Sequence, residues 1–310
     1  MKYCSNLEKH GVLLLDKPTN FSSNNVLQKV RHLLNNKTAG YVGTLDPLAS
    51  GMLPICLGKA TKFSQFLSDS DKRYHVIARL GQRTDTMDAY GKIIEINTIK
   101  VTQKTLYEIL NKFHGSVVQI PPMYSAIKYY GKPLYQYARS GIDVERACRK
   151  IYIYDLKCKN WHNNLLELEI HCSKGTYIRV IIDDIGKLLG CGAHVIYLRR
   201  LQMANYSSDH MISLEYLNTL YKENNLYQNF LDKKIQTFLL PIESMVSMYD
   251  TINIDQHTAK CFKHGQAINI KHKFNYGQKI RVTENNFKKF IGIAEIDKLF
   301  RIKPLRLIRF

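Results

Sequence analysis

The stretch with the clearest capacity for chemistry is Gly40-Tyr41-Val42-Gly43-Thr44-Leu45-Asp46-Pro47-Leu48-Ala49-Ser50-Gly51. Three glycines and a proline make it a shaped loop rather than a helix or a strand. Such a backbone can present its single carboxylate, Asp46, sharply into a cleft. Ionised, that carboxylate can attack a sugar or a base, or take a proton from a sugar. The same residues also suit a plain structural turn, because Asp-Pro is a common turn pair and aspartate readily bonds its own backbone. Arg179 is a second candidate. It follows the Lys174-Gly175-Thr176-Tyr177 turn at the start of a helix. A guanidinium can orient a carboxylate through two hydrogen bonds and favours its charged form. A helix-surface pair with Asp183, four residues on, fits the spacing as well. The chain shows no metal-ligand cluster. The segment 51–59 is no phosphate-binding loop either, since its glycine spacing is wrong and Ala60 follows the lysine.

Elements to hold these groups follow from periodicity. Residues 11–15 read as a short buried strand ending in the turn Asp16-Lys17-Pro18. Ser22 and Ser23 offer N-caps for a helix through Leu34, with Val26, Val30, Leu33 and Leu34 on one face. A strand is expected over 52–57 and a helix over 59–67. In 74–80, Tyr74, Val76, Ala78 and Leu80 share one face of a strand while His75 and Arg79 point the other way. That pattern alone makes Tyr74 a core residue. A polar loop over 81–91 and a helix over 106–113 follow. Residues 166–172 alternate as a half-buried strand. From Ile178 the apolar residues recur at helical spacing to Leu189, and Gly190 stands where a C-terminal glycine belongs. A strand is expected over 194–201. The Asn- and Tyr-rich stretch 218–229 weakens the pattern.

The segment 123–150 has its own character. Tyr124, Tyr129, Tyr130, Tyr135 and Tyr137 lie among Lys128, Lys132, Arg139, Arg146, Arg149 and Lys150. It reads as an exposed, partly helical insert. Basic side chains there can bind phosphates while tyrosines stack on unpaired bases. A solvated hairpin whose tyrosines cover the core is the plainer reading. A second unit begins near Tyr249, with strand-like segments at 279–283, 290–296 and 305–310, and a small basic β-barrel is the expectation.

The chain has 310 residues, enough for a large domain and a smaller one. Its net charge of +19 suits a polyanionic partner, although the abundance of Lys, Asn, Ile and Tyr suits an AT-rich genome as well. Seven widely spaced cysteines with no C-x-x-C pair favour reduced thiols over a disulfide framework or a zinc site. The early apolar run Val12 to Leu15 is too short for a signal peptide or a span. A soluble, cytoplasmic protein is expected. Nothing in the sequence implies a protein partner, and a monomer is the expectation.

The order of the motifs adds more. Residues 11–18, the run Gly43 to Gly51, Lys72-Arg73-Tyr74 with residues 80–86, Pro122-Met123-Tyr124-Ser125-Ala126, residues 173–179, and Gly192-Ala193-His194 with Leu198-Arg199-Arg200 together resemble the TruB family of tRNA pseudouridine synthases. The matches cover nearly the whole chain in family order. The resemblance implies an α+β fold. Its catalytic domain, residues 1–248, would be built on a mixed, largely antiparallel sheet with flanking helices and carry an RNA-clasping insert at about 123–150. Residues 249–310 would form a small β-barrel-like PUA domain that binds RNA. The implied reaction breaks the N-glycosidic bond of a uridine, turns the base, and rejoins it to the same ribose through C5. No atoms are added, so no cofactor or metal is implied.

The implied substrate is the uridine at position 55 in the T-loop of tRNA, held through the T-loop and T-stem. By resemblance Asp46 is the catalytic aspartate, Arg179 its partner and Tyr74 the active-site tyrosine, able to stack on the uracil and move the C5 proton. Lys17 and Leu198 match a lysine beside the loop and an apolar wall, with an ordinary turn lysine and a core leucine as the plainer readings. Tyr124, Lys128, Lys132 and Arg139 fall in the clasping segment as substrate-binding candidates. Tyr41 departs from the family, which usually has a histidine there to fill the space a flipped base leaves. Tyrosine is also a planar stacker with a polar tip. A tRNA-folding chaperone with secondary or lost catalysis is the alternative function, and a synthase acting on another RNA a third.

Overall fold

The alternation at 74–80 starts two residues earlier than the apolar pattern showed. The strand Lys72–Leu80 buries every second side chain: Lys72, Tyr74, Val76, Ala78 and Leu80. It is central to a mixed ten-stranded sheet. The computed structural model describes residues 9–223, 228–270 and 274–308. On one side Lys72–Leu80 pairs antiparallel with Leu165–Cys172, followed by Arg149–His162 and Gly115–Gln119, again antiparallel. On its other side lies Ala193–Met203, antiparallel. Ser50–Leu57 joins that strand in parallel and then pairs antiparallel with Gly11–Lys17. Within this sheet the described strands pair in parallel at Arg199 and Arg200 with Ser50 and Gly51, and at Leu15 and Asp16 with Ile212 and Ser213. The expected largely antiparallel sheet is therefore present, and its centre brings residues near 50, 74, 172 and 200 side by side.

Helices cover the sheet with the faces expected of them. Ser22 caps Ser23–Leu33 by accepting from the Asn25 backbone N–H, and Val26, Leu27, Val30 and Leu33 are buried. The helix Ile178–Leu188 buries Ile181, Ile182 and Ile185, and Gly190 follows with φ +75°. The segment 59–67 splits into a 3-10 turn, Gly58–Phe63, and a short helix, Ser64–Ser68.

Three regions differ from the sequence reading. The polar loop 81–91 opens with a strand, Gln82–Thr84, that pairs with Ile93–Ile96. Every residue of the latter is exposed, so burial leaves no alternation to read. The stretch 218–229 does not break the fold. Leu214–Glu223 is a helix that buries Leu217 and Leu220, with Asn218, Thr219, Lys222 and Glu223 on its exposed face, and Gln228–Phe238 is another. Residues 224–227 of that stretch lie outside the described residues, as do Cys4 and the last two residues of the 305–310 segment. In the C-terminal part, a strand Thr251–Ile254 and a helix Gln256–Lys263, capped by Asp255, join the three expected strands. The strand order is Thr251–Ile254, Lys279–Glu284, Lys289–Ile296, Ile302–Leu307. One face of this sheet has its own core around Ile252, Phe262, Ile280 and Val282. The other sends Phe290, Ile293 and Ile308 into a cluster with Val12, Phe63, Phe66 and Met245 of the large sheet's side. Burial of that shared cluster couples the two parts energetically.

Candidate active site

Asp46 lies in a cleft of about 340 Å³ whose walls also include Thr44, Tyr74, Tyr124, Tyr177, Arg179, Leu198 and Arg200. The loop comes off the short strand Ala39–Tyr41, and its Leu45 N–H donates to Ser23 Oγ at 2.9 Å, while Ser23 Oγ donates in turn to the Leu45 carbonyl. The residue just before the carboxylate is thus fixed to the first helix. Asn20 N–H donates to the Pro47 carbonyl on the other side, at 2.8 Å.

Arg179 projects from the first turn of its helix and is 4% exposed. Its Nε lies 2.8 Å from Asp46 Oδ2, and its Nη2 donates to Asp46 Oδ1 at 3.1 Å. This is a two-pronged pair of planar groups. The guanidinium is itself held by the Thr86 carbonyl at 3.0 Å and the Tyr124 carbonyl at 2.8 Å, with Asp88 Oδ2 at 3.8 Å. The alternative partner is otherwise engaged. Asp183 is fully buried and takes Arg83 at 2.7 Å and Lys187 at 2.7 Å. Position i+4 on the helix pointed to a plausible pair, but the sheet places another cation nearer.

Burial pushes the Asp46 carboxyl above the usual carboxylate range; Arg179 opposes the rise, Asp88 adds to it and Lys17 opposes it. About a third of the Asp46 side chain remains open to the cleft, so this is a carboxylate at the bottom of an accessible site rather than a sealed one. Tyr74 is 8% exposed and serves two purposes, since it packs with the core and lines the cleft. Burial raises its phenol, and nearby Arg200 opposes that rise. Leu198 is likewise both core and cleft wall.

Not every candidate reaches the cleft surface. Lys17 is fully buried, and its Nζ donates to the Pro18 carbonyl at 2.8 Å and the Phe21 carbonyl at 2.7 Å. Burial brings Lys17 down to about 8, with Asp46 opposing and Arg200 adding to the fall. Its charge is felt at Asp46, while its hydrogen bonds hold the 18–21 turn. Tyr41 is half-buried on the 39–41 strand, packed against the core, and is absent from the cleft lining. Tyr124 lines the cleft. Lys128 and Lys132 are exposed on a two-strand hairpin, and Arg139 ends the following helix with its guanidinium 5.5 Å from the Tyr135 ring centre. The hairpin tyrosines pack mainly on one another, Tyr129 against Tyr130 and Tyr137. Tyr130 is 87% exposed, so covering the core is not its role.

Four further residues of the site were given no individual role from the sequence, although three of them stood in its motifs or its basic insert. Asp88 is the buried acid beyond Arg179. Lys72 lines the cleft and donates to the Ser68 carbonyl at 2.7 Å and to the Ser70 carbonyl. Arg149 lines the cleft with its guanidinium 4.7 Å from the Tyr177 ring centre, and its Nε and Nη2 are buried without a hydrogen-bond partner. Arg200 is 1% exposed. A signal for Arg200 did exist: adjacent strand residues point to opposite faces, so one of Arg199 and Arg200 had to point inward. Arg199 faces out to Asp16, at 2.9 and 2.7 Å.

A larger groove of about 950 Å³ lies between the 16–21 turn and the helices Ser23–Leu33 and Leu214–Glu223. It too holds a two-pronged pair, Arg199 with Asp16, but that arginine is 27% exposed where Arg179 is 4% exposed. Among the described residues no group of three or more His, Cys, Asp or Glu is placed to hold a metal ion, and no helix is long and apolar enough to cross a membrane.

Comparison with known proteins bears on this geometry. A family model described as TruB family pseudouridylate synthase, N-terminal domain, matches residues 31–178. A tRNA pseudouridylate synthase B C-terminal domain matches 179–247, and a pseudouridine synthase II TruB C-terminal domain matches 251–308. A tRNA pseudouridine synthase B of Photorhabdus laumondii is 56% identical over 96% of this chain and 95% of its own length. One of Serratia proteamaculans is 52% identical over the same shares of the two chains. Two solved structures share the fold at low identity. A chain in an H/ACA RNP bound to a substrate RNA containing 2′-deoxyuridine superposes with TM-score 0.73 at 20% identity, covering 97% of this chain and 86% of that one. A chain in a Cbf5-Nop10-Gar1 complex gives 0.72 at 23%, covering 97% and 84%.

Proposed function

Because the chain belongs to the TruB family of pseudouridylate synthases, we propose that this tRNA pseudouridine synthase isomerises the uridine at position 55 in the T-loop, with Asp46 as its catalytic carboxylate. The observation that carries the reading is the two-pronged Arg179–Asp46 pair at the base of a cleft walled by Tyr74 and Leu198. The guanidinium favours the ionised carboxylate and fixes the direction of its lone pairs. With the uridine turned out of its stack, Asp46 acts on the nucleotide as the N-glycosidic bond breaks. Leu198 and the Tyr74 ring bracket the freed uracil while it turns, and C5 then bonds to the ribose. The C5 proton leaves through the Tyr74 hydroxyl, and N1 takes up a proton, so the product is an isomer of the substrate. Extruding the base costs roughly a few kcal/mol, which binding of the arm must offset.

Recognition falls to the rim. Arg149 presents two donors without protein acceptors, and the Ser125 hydroxyl, lining the same cleft, is likewise buried and unpartnered. Phosphate and ribose oxygens suit them. Tyr124, Lys128, Lys132 and Arg139 extend this surface along the insert. Tyr41, beside the loop, takes the place of the family histidine in filling the gap a flipped base leaves. Lys17 contributes from behind, through its charge and the 18–21 turn. Residues 249–310 serve as the PUA-like RNA-binding unit.

The deciding experiment is tritium release from tRNA transcripts labelled at C5 of uridine, with the product mapped by position, for wild type and Asp46→Asn. Release at position 55 from wild type alone is the expected result. Release by Asp46→Asn near the wild-type rate would remove Asp46 from the chemistry. Tight, salt-sensitive tRNA binding without release by wild type would leave a tRNA chaperone in place of an enzyme.

A further inference from the structure

The loop that carries Asp46 leaves the sheet after Tyr41 and re-enters it at Ser50. Both of its ends meet one side chain. Arg200 Nη2 donates to the Gly43 carbonyl at 2.8 Å, and Arg200 Nε donates to the Met52 carbonyl at 2.7 Å. The Arg200 backbone completes the fastening, since it stands in register with Gly51 where the two strands run parallel. The two flanking glycines answer to this residue. Gly43 has φ +71°, and a Cβ on it would lie 3.0 Å from Arg200 Nη1. Gly51 has φ +97°, and a Cβ there would lie 2.3 Å from the Arg200 carbonyl oxygen. Both backbones are in the left-handed region, and only a residue without Cβ combines that φ with so close an approach.

On its other side Arg200 stands directly across the antiparallel ladder from Tyr74. Side chains opposed in this way start about 4.5–5.5 Å apart at Cβ, and both of these line the cleft. One guanidinium therefore borders both the loop that carries the carboxylate and the phenol across from it. A 1%-exposed arginine bonded to carbonyls is an expensive way to fill space, and an apolar side chain would serve the core alone. The planar fork supplies what an apolar group or a lysine lacks: donors at fixed angles to two carbonyls at once.

We infer that Arg200 is a positioning residue for the isomerisation, holding the Asp46 loop at a set distance from Tyr74. The inference rests on the reading of the cleft as the site of uridine isomerisation. Arg200 touches neither bond that changes; it acts through the loop and the phenol.

The test uses Arg200→Lys in the full-length protein, which keeps the charge and loses the fork. Affinity for tRNA should stay within about threefold of wild type, because the change removes no contact with the bound arm. The single-turnover rate of tritium release from C5-labelled tRNA should fall about a hundredfold, the scale of a misplacement of roughly 1 Å. Leu53→Ala controls for general destabilisation. Leu53 is fully buried on the Ser50–Leu57 strand and lies outside the cleft lining. Its loss should lower the melting temperature and leave the rate per folded molecule near wild type. A rate per folded molecule for Arg200→Lys that matches Leu53→Ala overturns the inference.

Should Arg200→Lys fail to fold, Gly43→Ala replaces it, pressing a methyl on Nη1 from the half-exposed loop. It should slow the rate by about tenfold or more. Gly40→Ala, where no atom lies within 4 Å of the new Cβ, should not. Equal rates for those two would also overturn the inference. Absence of release by wild type would instead sink the reading of the cleft itself, so the two failures are distinguishable.

Discussion

On the floor of the cleft and just behind it, polar groups are already bonded within the protein. Asp46 takes both prongs of Arg179; Arg179 also donates to the Thr86 and Tyr124 carbonyls; Lys17 holds the 18–21 turn; Arg200 holds Gly43 and Met52. The rim is left open. Arg149 Nε and Nη2 and Ser125 Oγ have no partner, and Tyr130 stands 87% exposed at the tip of its hairpin. A fully bonded network keeps its geometry, whereas a buried donor without an acceptor favours any ligand that supplies one. The floor is therefore preorganised for a reaction and the rim is prepared for binding. Substitutions on the floor should change turnover, and substitutions on the rim should change affinity.

The largest effect expected is that of Asp46→Asn. Turnover should fall by roughly 10⁴-fold or more, as for other groups on which a covalent step depends, while tRNA binding persists. Its melting temperature should not fall at neutral pH. A carboxyl whose pKa is raised on folding favours the folded state when protonated, a contribution lost as pH rises through the raised pKa. Calorimetry at two pH values checks this, and a large loss of stability at neutral pH would mean the floor relies on the charge.

Arg179→Ala comes next. Turnover should drop by roughly 10²–10³-fold, the scale for removing a fixed electrostatic donor. Here the melting temperature should fall as well, since Asp46 and Asp88 lose a shared cation and two carbonyls lose their donor. A Tm loss with turnover per folded molecule unchanged would make the arginine structural only.

On the rim, Arg149→Ala should raise the Kd for tRNA by about tenfold and reduce the salt slope by about one, with kcat nearly unchanged. A fall in kcat at constant Kd would erase the distinction between the two regions.

The smallest effect is in the pH profile. Asp46 works ionised, so turnover is full above its raised pKa and is lost as pH falls through it. The acid limb should thus lie above the ordinary carboxylate range. Arg179→Gln removes the main group opposing that rise and should move the limb to higher pH, while Arg149→Ala should leave it in place. A limb unmoved by Arg179→Gln would show that burial alone sets it.

Much of the scaffold could be read from local pattern. The strand over 74–80, the capped helix after Ser22 and the helix from Ile178 to Gly190 all announce themselves, because side-chain period and capping are decided by a few neighbouring residues. The strand Ile93–Ile96 and the helices around 218–229 did not, since the first is exposed throughout and the run of Asn and Tyr blurs the apolar spacing of the second. Within the site, the glycine-rich loop drew attention to Asp46. Arg179 was recognisable as an interesting cation, and the resemblance paired it with Asp46, but spacing alone did not separate that partner from Asp183. The nearest acid in the chain, Asp183, belongs to Arg83, and the true partner is Asp46, 133 positions away.

Composition, charge and motif order were thus enough to determine a basic α+β protein, its family resemblance and the loop that bears its carboxylate. Only the tertiary structure decided the contacts: Arg179 with the Asp46 of the resemblance rather than Asp183, Lys17 with backbone carbonyls rather than the cleft, and Arg200 with both ends of the loop. The physical reason lies in range. Backbone sterics and periodicity act over a few residues. A buried guanidinium is placed by strand register, which brings residues 43, 52, 74 and 200 together only once the whole sheet has formed.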